Sequence, residues 1–177
     1  PKKDAQGRPI PTYSNNDVIG LARVFTGWSW NGGRLTHECF FRAGYCAENT
    51  NERETRPMVA YDQYHSTLEK RFLGTTIAEG QSSTTADLKV ALDTLFNHPN
   101  VGPFIGRQLI QRLVTSNPSP AYVRRVASAF NNNGQGVRGD MKAVIRAVLL
   151  DEEARDDNAR KQPSFGRIRE PVLRFTH

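Results

Sequence analysis

Long apolar runs are missing from this chain. Its mean hydropathy is −0.59, and no stretch approaches the roughly 18 apolar residues that a membrane-crossing helix requires, so no membrane span is expected. The opening PKKDAQGRPIPTY lacks both an initiating Met and the apolar region of a signal peptide, and REPVLRFTH at the other end breaks off where a further helix would open. A fragment of a larger protein is therefore expected. Motifs with a chemistry of their own are also missing. There is no G-x-S-x-G, and no C-x-x-C or H-x-x-x-H pair. The acidic run DEEARDD from Asp151 to Asp157 has neither the alternating oxygen ligands nor the central Gly of a calcium loop. No residue is assigned a catalytic role on motif grounds, and no cofactor is expected.

What is present is enough for one domain: 177 residues, 37% of them hydrophobic, can bury a core. The net charge of +6 is uneven. Residues 1–100 carry 11 Lys and Arg against 11 Asp and Glu, whereas residues 101–177 carry 13 against 7. An acidic partner is permitted by that excess. Arg124, Arg125, Arg138, Lys142 and Arg146 are its candidates for a basic patch. Without interleaved aromatics or a recognisable binding module, nucleic acid is the less favoured partner, a protein partner remains open, and a solvated basic face is expected.

The chain divides into an irregular lead-in over residues 1–13, a helix over 14–27, an irregular region over 28–80 and a helical core over 84–177. Ser14 and Asp17 form an acidic capping box, followed by Val18, Leu21, Ala22 and Phe25 at helical spacing and a stop near Gly27. Thr84 and Asp87 offer a second capping pair ahead of Leu88, Ala91, Leu92, Leu95 and Phe96. Asn100 is the expected cap of the next helix, whose stripe of Phe104, Ile105, Leu109, Ile110, Leu113 and Val114 is wide. Ser119 with Pro120 opens another, and Asp140 opens the clearest amphipathic pattern, with Met141, Val144, Ile145, Val148 and Leu149. The fold class is all-α: an orthogonal or up-down bundle of about five to seven helices in one domain, with a long irregular segment and little or no sheet.

Few side chains suggest chemistry. Gly134, Gly136 and Gly139 spell G-x-G-x-x-G, but a helix rather than a strand precedes them, so they are expected in an interhelical loop. Asp62 and His65, three apart and near Lys70, match a carboxylate that orients an imidazole; no nucleophile accompanies them. Trp28 and Trp30 are candidates for a ligand-stacking platform, against packing over a helix end. His98 is expected to end a helix by meeting its last carbonyls. His37, Cys39, Cys46 and the distant His65 are the candidate zinc ligands, at a spacing unlike that of known sites, so no metal is expected.

Several segments, taken in order, resemble a bacterial family known only as domain of unknown function 1800. They are LARVFTGW from Leu21 to Trp28; His65, Lys70 and Phe72-Leu73-Gly74 within HSTLEKRFLG; and HPNVGPFIGRQLIQRLVTSNPSPAYV from His98 to Val123. FNNNGQGVRGDMKAV from Phe130, LLDEEAR from Leu149 and REPVLR from Arg169 complete the set. The resemblance covers nearly the whole chain and corresponds to the C-terminal part of such proteins. It implies a largely helical fold and an exported, periplasmic or secreted, protein, but no reaction. In an oxidising compartment Cys39 and Cys46 would close a small disulfide loop; free thiols and metal binding are the alternatives. The expected function is a noncatalytic structural or interaction module. The alternatives are an enzyme or metal-dependent protein with its site in residues 28–80, and electrostatic binding of nucleic acid.

Overall fold

A computed structural model describes residues 3–31, 34–42, 55–80, 83–163 and 165–166. The architecture is mainly helical, and the described residues hold eight α-helices and two small two-stranded sheets. The chain forms two compact units, Pro1–Phe96 and Asn97–His177.

In the first unit, α1 spans Asn15–Val24 and opens on the expected capping box: Asp17 N donates to Ser14 Oγ, and Ser14 N donates to Asp17 Oδ2 at 2.6 Å. The buried face differs from the expected one. Gly20 and Val24 are buried, whereas Val18 and Phe25 are about half exposed. The reason is a backbone approach, because a Cβ on Gly20 would stand 1.9 Å from the Arg71 carbonyl oxygen. Only glycine lets α1 lie this close to the strand carrying Arg71.

The region 28–80, expected to be irregular, carries short ordered elements. Strand β1 (Trp28–Ser29) pairs antiparallel with β2 (Val59–Ala60), α2 spans His37–Phe41, and a 3-10 turn covers Asp62–Tyr64. Strands β3 (Lys70–Phe72) and β4 (Thr75–Ile77) form a hairpin joined by Leu73 and Gly74. Both joining residues have positive φ, 48° and 81°, as a type I′ turn requires, and Leu73 N donates to Asp17 Oδ1 at 2.6 Å. Strands of two or three residues leave almost no period-two pattern to detect. Helix α3 (Thr84–Asn97) completes the unit, and Val24, Phe72 and Ala91 form its buried core with Leu21 and Ile77 against them.

The second unit packs α4 (Val101–Leu113), α5 (Pro120–Asn131) and α6 (Met141–Leu150), followed by the short α7 (Glu152–Arg155) and α8 (Asp157–Arg160). Ile110, Tyr122, Val126, Phe130, Val144 and Val148 are its core. Ser119 and Asp140 cap α5 and α6 as expected, Ser119 Oγ accepting from Tyr122 N and Asp140 accepting from Lys142 N and Ala143 N. Asn100 stands at the N-cap of α4, as expected, but its side chain makes no capping hydrogen bond. His98 does not meet the last carbonyls of α3; its Nδ1 accepts from Asn100 N at 3.2 Å, ahead of α4. The wide stripe of α4 is only partly used, since Phe104 and Leu113 remain exposed while Gly102, Gly106 and Ile110 are buried. A Cβ on Gly106 would stand 3.0 Å from Val126 Cγ1, so this face too is set by close backbone packing. Gly134, Gly136 and Gly139 all have positive φ in the loop between α5 and α6.

Candidate functional site

The clearest cluster of ionisable side chains lies within the first unit. In the β3–β4 hairpin, Lys70 is two residues from Phe72, and strand alternation turns both inward while Arg71 faces solvent. Lys70 is therefore fully buried, with Nζ 2.8 Å from Asp87 Oδ2. Asp87 lies one helical turn before Ala91 on the buried face of α3 and is 2% exposed. The same Oδ2 is 2.9 Å from His65 Nε2. At the other edge of the ring, His65 Nδ1 lies 2.9 Å from the Thr26 carbonyl oxygen and 3.3 Å from Thr26 Oγ1. Gly27 makes this approach possible: it has φ of 80°, and a Cβ there would be 3.1 Å from the His65 Cα and Cβ. One buried carboxylate thus joins the end of α1, the loop before β3, β3 itself and α3.

Asp62 does not orient His65. Its Oδ1 accepts from Thr84 N at 2.8 Å and from Thr84 Oγ1 at 2.7 Å, so it caps α3 from outside the helix. These bonds to Thr84 hold its carboxyl below the usual carboxylate range, and the charge on His65 acts in the same direction. Thr84 and Asp87 are not the expected capping pair. Ser83 Oγ accepts from Ala86 N at 3.1 Å instead, Thr84 is bound to Asp62, and Asp87 is drawn into the buried cluster. Asp87 and Thr26 are the members that sequence reasoning missed. Asp87 had a legible signal, being an acid on the same helical face as Ala91. Thr26 contributes a carbonyl, which no sequence pattern marks.

The other candidates lie apart from this cluster. His37 is exposed on α2, its ring 4.7 Å from that of Phe41. Phe40 stacks on Tyr64 at 4.4 Å and meets Tyr61 edge-on at 5.3 Å, while Tyr61 Oη donates to the Trp30 carbonyl at 2.7 Å. Trp30 is 45% exposed. Trp28 Nε1 is buried without a hydrogen-bond partner among the described residues. Cys39 is fully buried on α2, and its Sγ accepts from Thr36 Oγ1 at 3.2 Å. Cys46 lies outside the described residues, and so does its pairing with Cys39. Of the proposed zinc ligands, His65 has both ring nitrogens directed at Asp87 and Thr26. Among the described residues, no group of three or more His, Cys, Asp or Glu is placed to hold a metal ion.

In the second unit, two of the five basic-patch candidates are engaged internally. Arg125 binds both carboxylate oxygens of Asp151 at 2.7 Å, and Arg138 bonds to Asn131 and the His98 carbonyl with its guanidinium 4.9 Å from the Phe130 ring centre. Arg146 lines an open groove of roughly 520 Å³ with Ala129, Ala143, Ala147 and Leu150. No described helix is long and apolar enough to cross a membrane.

Comparison with known proteins returns one family model, described as a protein of unknown function (DUF1800), which matches residues 4–177. No curated protein and no solved structure matches the chain.

Proposed function

The chain belongs to the DUF1800 family, and from that premise we propose that it serves as a noncatalytic structural or interaction module of an exported bacterial protein. The observation that carries this is the way the buried cluster is saturated. A general base needs a lone pair directed at substrate, whereas His65 presents one nitrogen to Asp87 and the other to Thr26. Lys70 is itself fully buried against Asp87 rather than facing a cleft. These groups act on one another and tie helices to a hairpin.

Support for an interaction role comes from α3, where Ala91 is buried but Leu92 and Phe96 are 52% and 44% exposed. Two of the five apolar side chains of that stripe are exposed on the first unit, and a protein partner is expected to cover Leu92. Export is supported by the family resemblance and by the two cysteines, the buried Cys39 and Cys46 seven positions on.

The test is a broad hydrolase screen on the purified chain. No turnover is expected; turnover that His65→Ala removes while far-ultraviolet dichroism and tryptophan emission stay native would overturn the proposal. A thiol assay on the denatured, unreduced chain is expected to find no free thiol, and two reactive thiols per chain would count against an oxidising compartment.

A further inference from the structure

We infer that His65 is held in the fold as an imidazolium, with a proton on each ring nitrogen, and that the first unit is thereby a pH-sensitive element that loosens when one of those protons is lost. The inference is independent of whether the module binds a partner.

It follows from what each nitrogen faces. The Thr26 carbonyl, 2.9 Å from Nδ1, can only accept. The Thr26 hydroxyl, 3.3 Å from the same nitrogen, has committed its single hydrogen to the Arg23 carbonyl at 2.6 Å. It also receives Ser66 N at 2.8 Å, so toward His65 it too is an acceptor. Nδ1 must therefore donate. On the other side, Asp87 Oδ2 accepts from the Lys70 ammonium at 2.8 Å and lies 2.9 Å from Nε2. Nε2 must donate as well. A neutral imidazole has only one N–H, so either tautomer would set a lone pair against an oxygen at 2.9 Å. With the ring side chain 1% exposed, no solvent would relieve that contact.

The charges around the ring are compatible with this state. Facing it are Asp87 from α3, Lys70 from β3 and Asp62 from the 3-10 turn, while Arg23 of α1 directs its guanidinium to the Glu69 carbonyl at 2.6 Å. Among these groups, the Asp62 and Asp87 carboxylates offset the charges of Lys70 and a protonated His65. Without a second proton on His65 the ring would repel either the end of α1 or the carboxylate of α3, which are the elements it joins.

The sign follows from linkage. A proton bound in the fold and released by the unfolded chain near about pH 6.5 gives stability that is complete below that pH and falls as pH rises. Both tryptophans, Trp28 and Trp30, lie in the first unit, so their emission during urea unfolding reports on it. The folded-to-unfolded ratio is expected to fall in the native chain as pH rises from about 6 to about 9, by no more than about tenfold per pH unit because one proton is involved, and to lose that slope in His65→Gln. A slope shared by the variant, or no slope at all, would overturn the proposal. Should His65→Gln not fold, long-range proton–nitrogen correlation spectra of the native chain at neutral pH decide it. Both His65 nitrogens are expected to carry hydrogen, and one bare nitrogen overturns the inference.

Discussion

Gly20→Ala tests how the first unit is packed. In an ordinary helix interior this change stabilises by up to about 1 kcal/mol, because glycine has the poorer helix propensity. Here the added methyl would lie 1.9 Å from the Arg71 oxygen, 2.7 Å from its carbonyl carbon and 3.0 Å from its nitrogen. These are backbone atoms of a hairpin strand, which cannot rotate away as a side chain can. Forcing α1 and β3 apart also opens the contact of Val24 with Phe72, and overpacking of this kind costs roughly 1–3 kcal/mol or more. A net loss of about 2 kcal/mol is expected, which at a urea dependence near ~1 kcal/mol per molar lowers the midpoint by about 2 M. Tryptophan emission during urea titration measures it. Gly106→Ala, in the second unit and followed by far-ultraviolet dichroism, is the control: its nearest neighbour, at 3.0 Å, is the Val126 Cγ1 methyl. That methyl has to shift by only a few tenths of an ångström, and the propensity gain offsets the strain to within about 1 kcal/mol. A Gly20→Ala protein as stable as the native chain would refute the close approach of α1 to β3.

Asp87→Asn removes the carboxylate shared by His65 and Lys70 and leaves a buried ammonium without it, so the first unit is expected to lose about 3–5 kcal/mol in the same titration; a loss below about 1 would show that the cluster does not hold it. Asp17 has its carboxyl lowered to about 2 by the Ser14 side chain and by backbone N–H groups of Ser14 and Leu73. Its contribution is present above the ordinary carboxylate value and is lost as pH falls toward about 2. Carbon-detected titration of the carboxyl checks this, and a midpoint near the ordinary 3.8 would contradict it. Ser119→Ala removes the cap of α5 and the hydroxyl's bond to Glu153, while the backbone bond to Glu153 stays, and is expected to cost about 1–2 kcal/mol in thermal unfolding followed by far-ultraviolet dichroism. Arg125→Ala is expected to cost about 1–2 kcal/mol: the arginine side chain is 40% exposed and screened by solvent, but Asp151, 5% exposed, loses its two-point contact.

By itself the sequence determined where most helices begin and that the fold is mainly helical, because caps and apolar periodicity are local. The Ser14–Asp17 box and the caps at Ser119 and Asp140 need only residues within one turn of each other. It also singled out His65 and Lys70, but paired the imidazole with Asp62, its neighbour in sequence. Only the tertiary structure assigned Asp62 to the start of α3 and Asp87 to the buried cluster, since that choice depends on the β3–β4 hairpin turning Lys70 inward. The buried faces of α1 and α4 were likewise decided in three dimensions. Apolar stripes predict burial from side-chain area, whereas Gly20, Gly102 and Gly106 bury their faces by letting backbones approach, and a residue without a side chain leaves no hydrophobic signal.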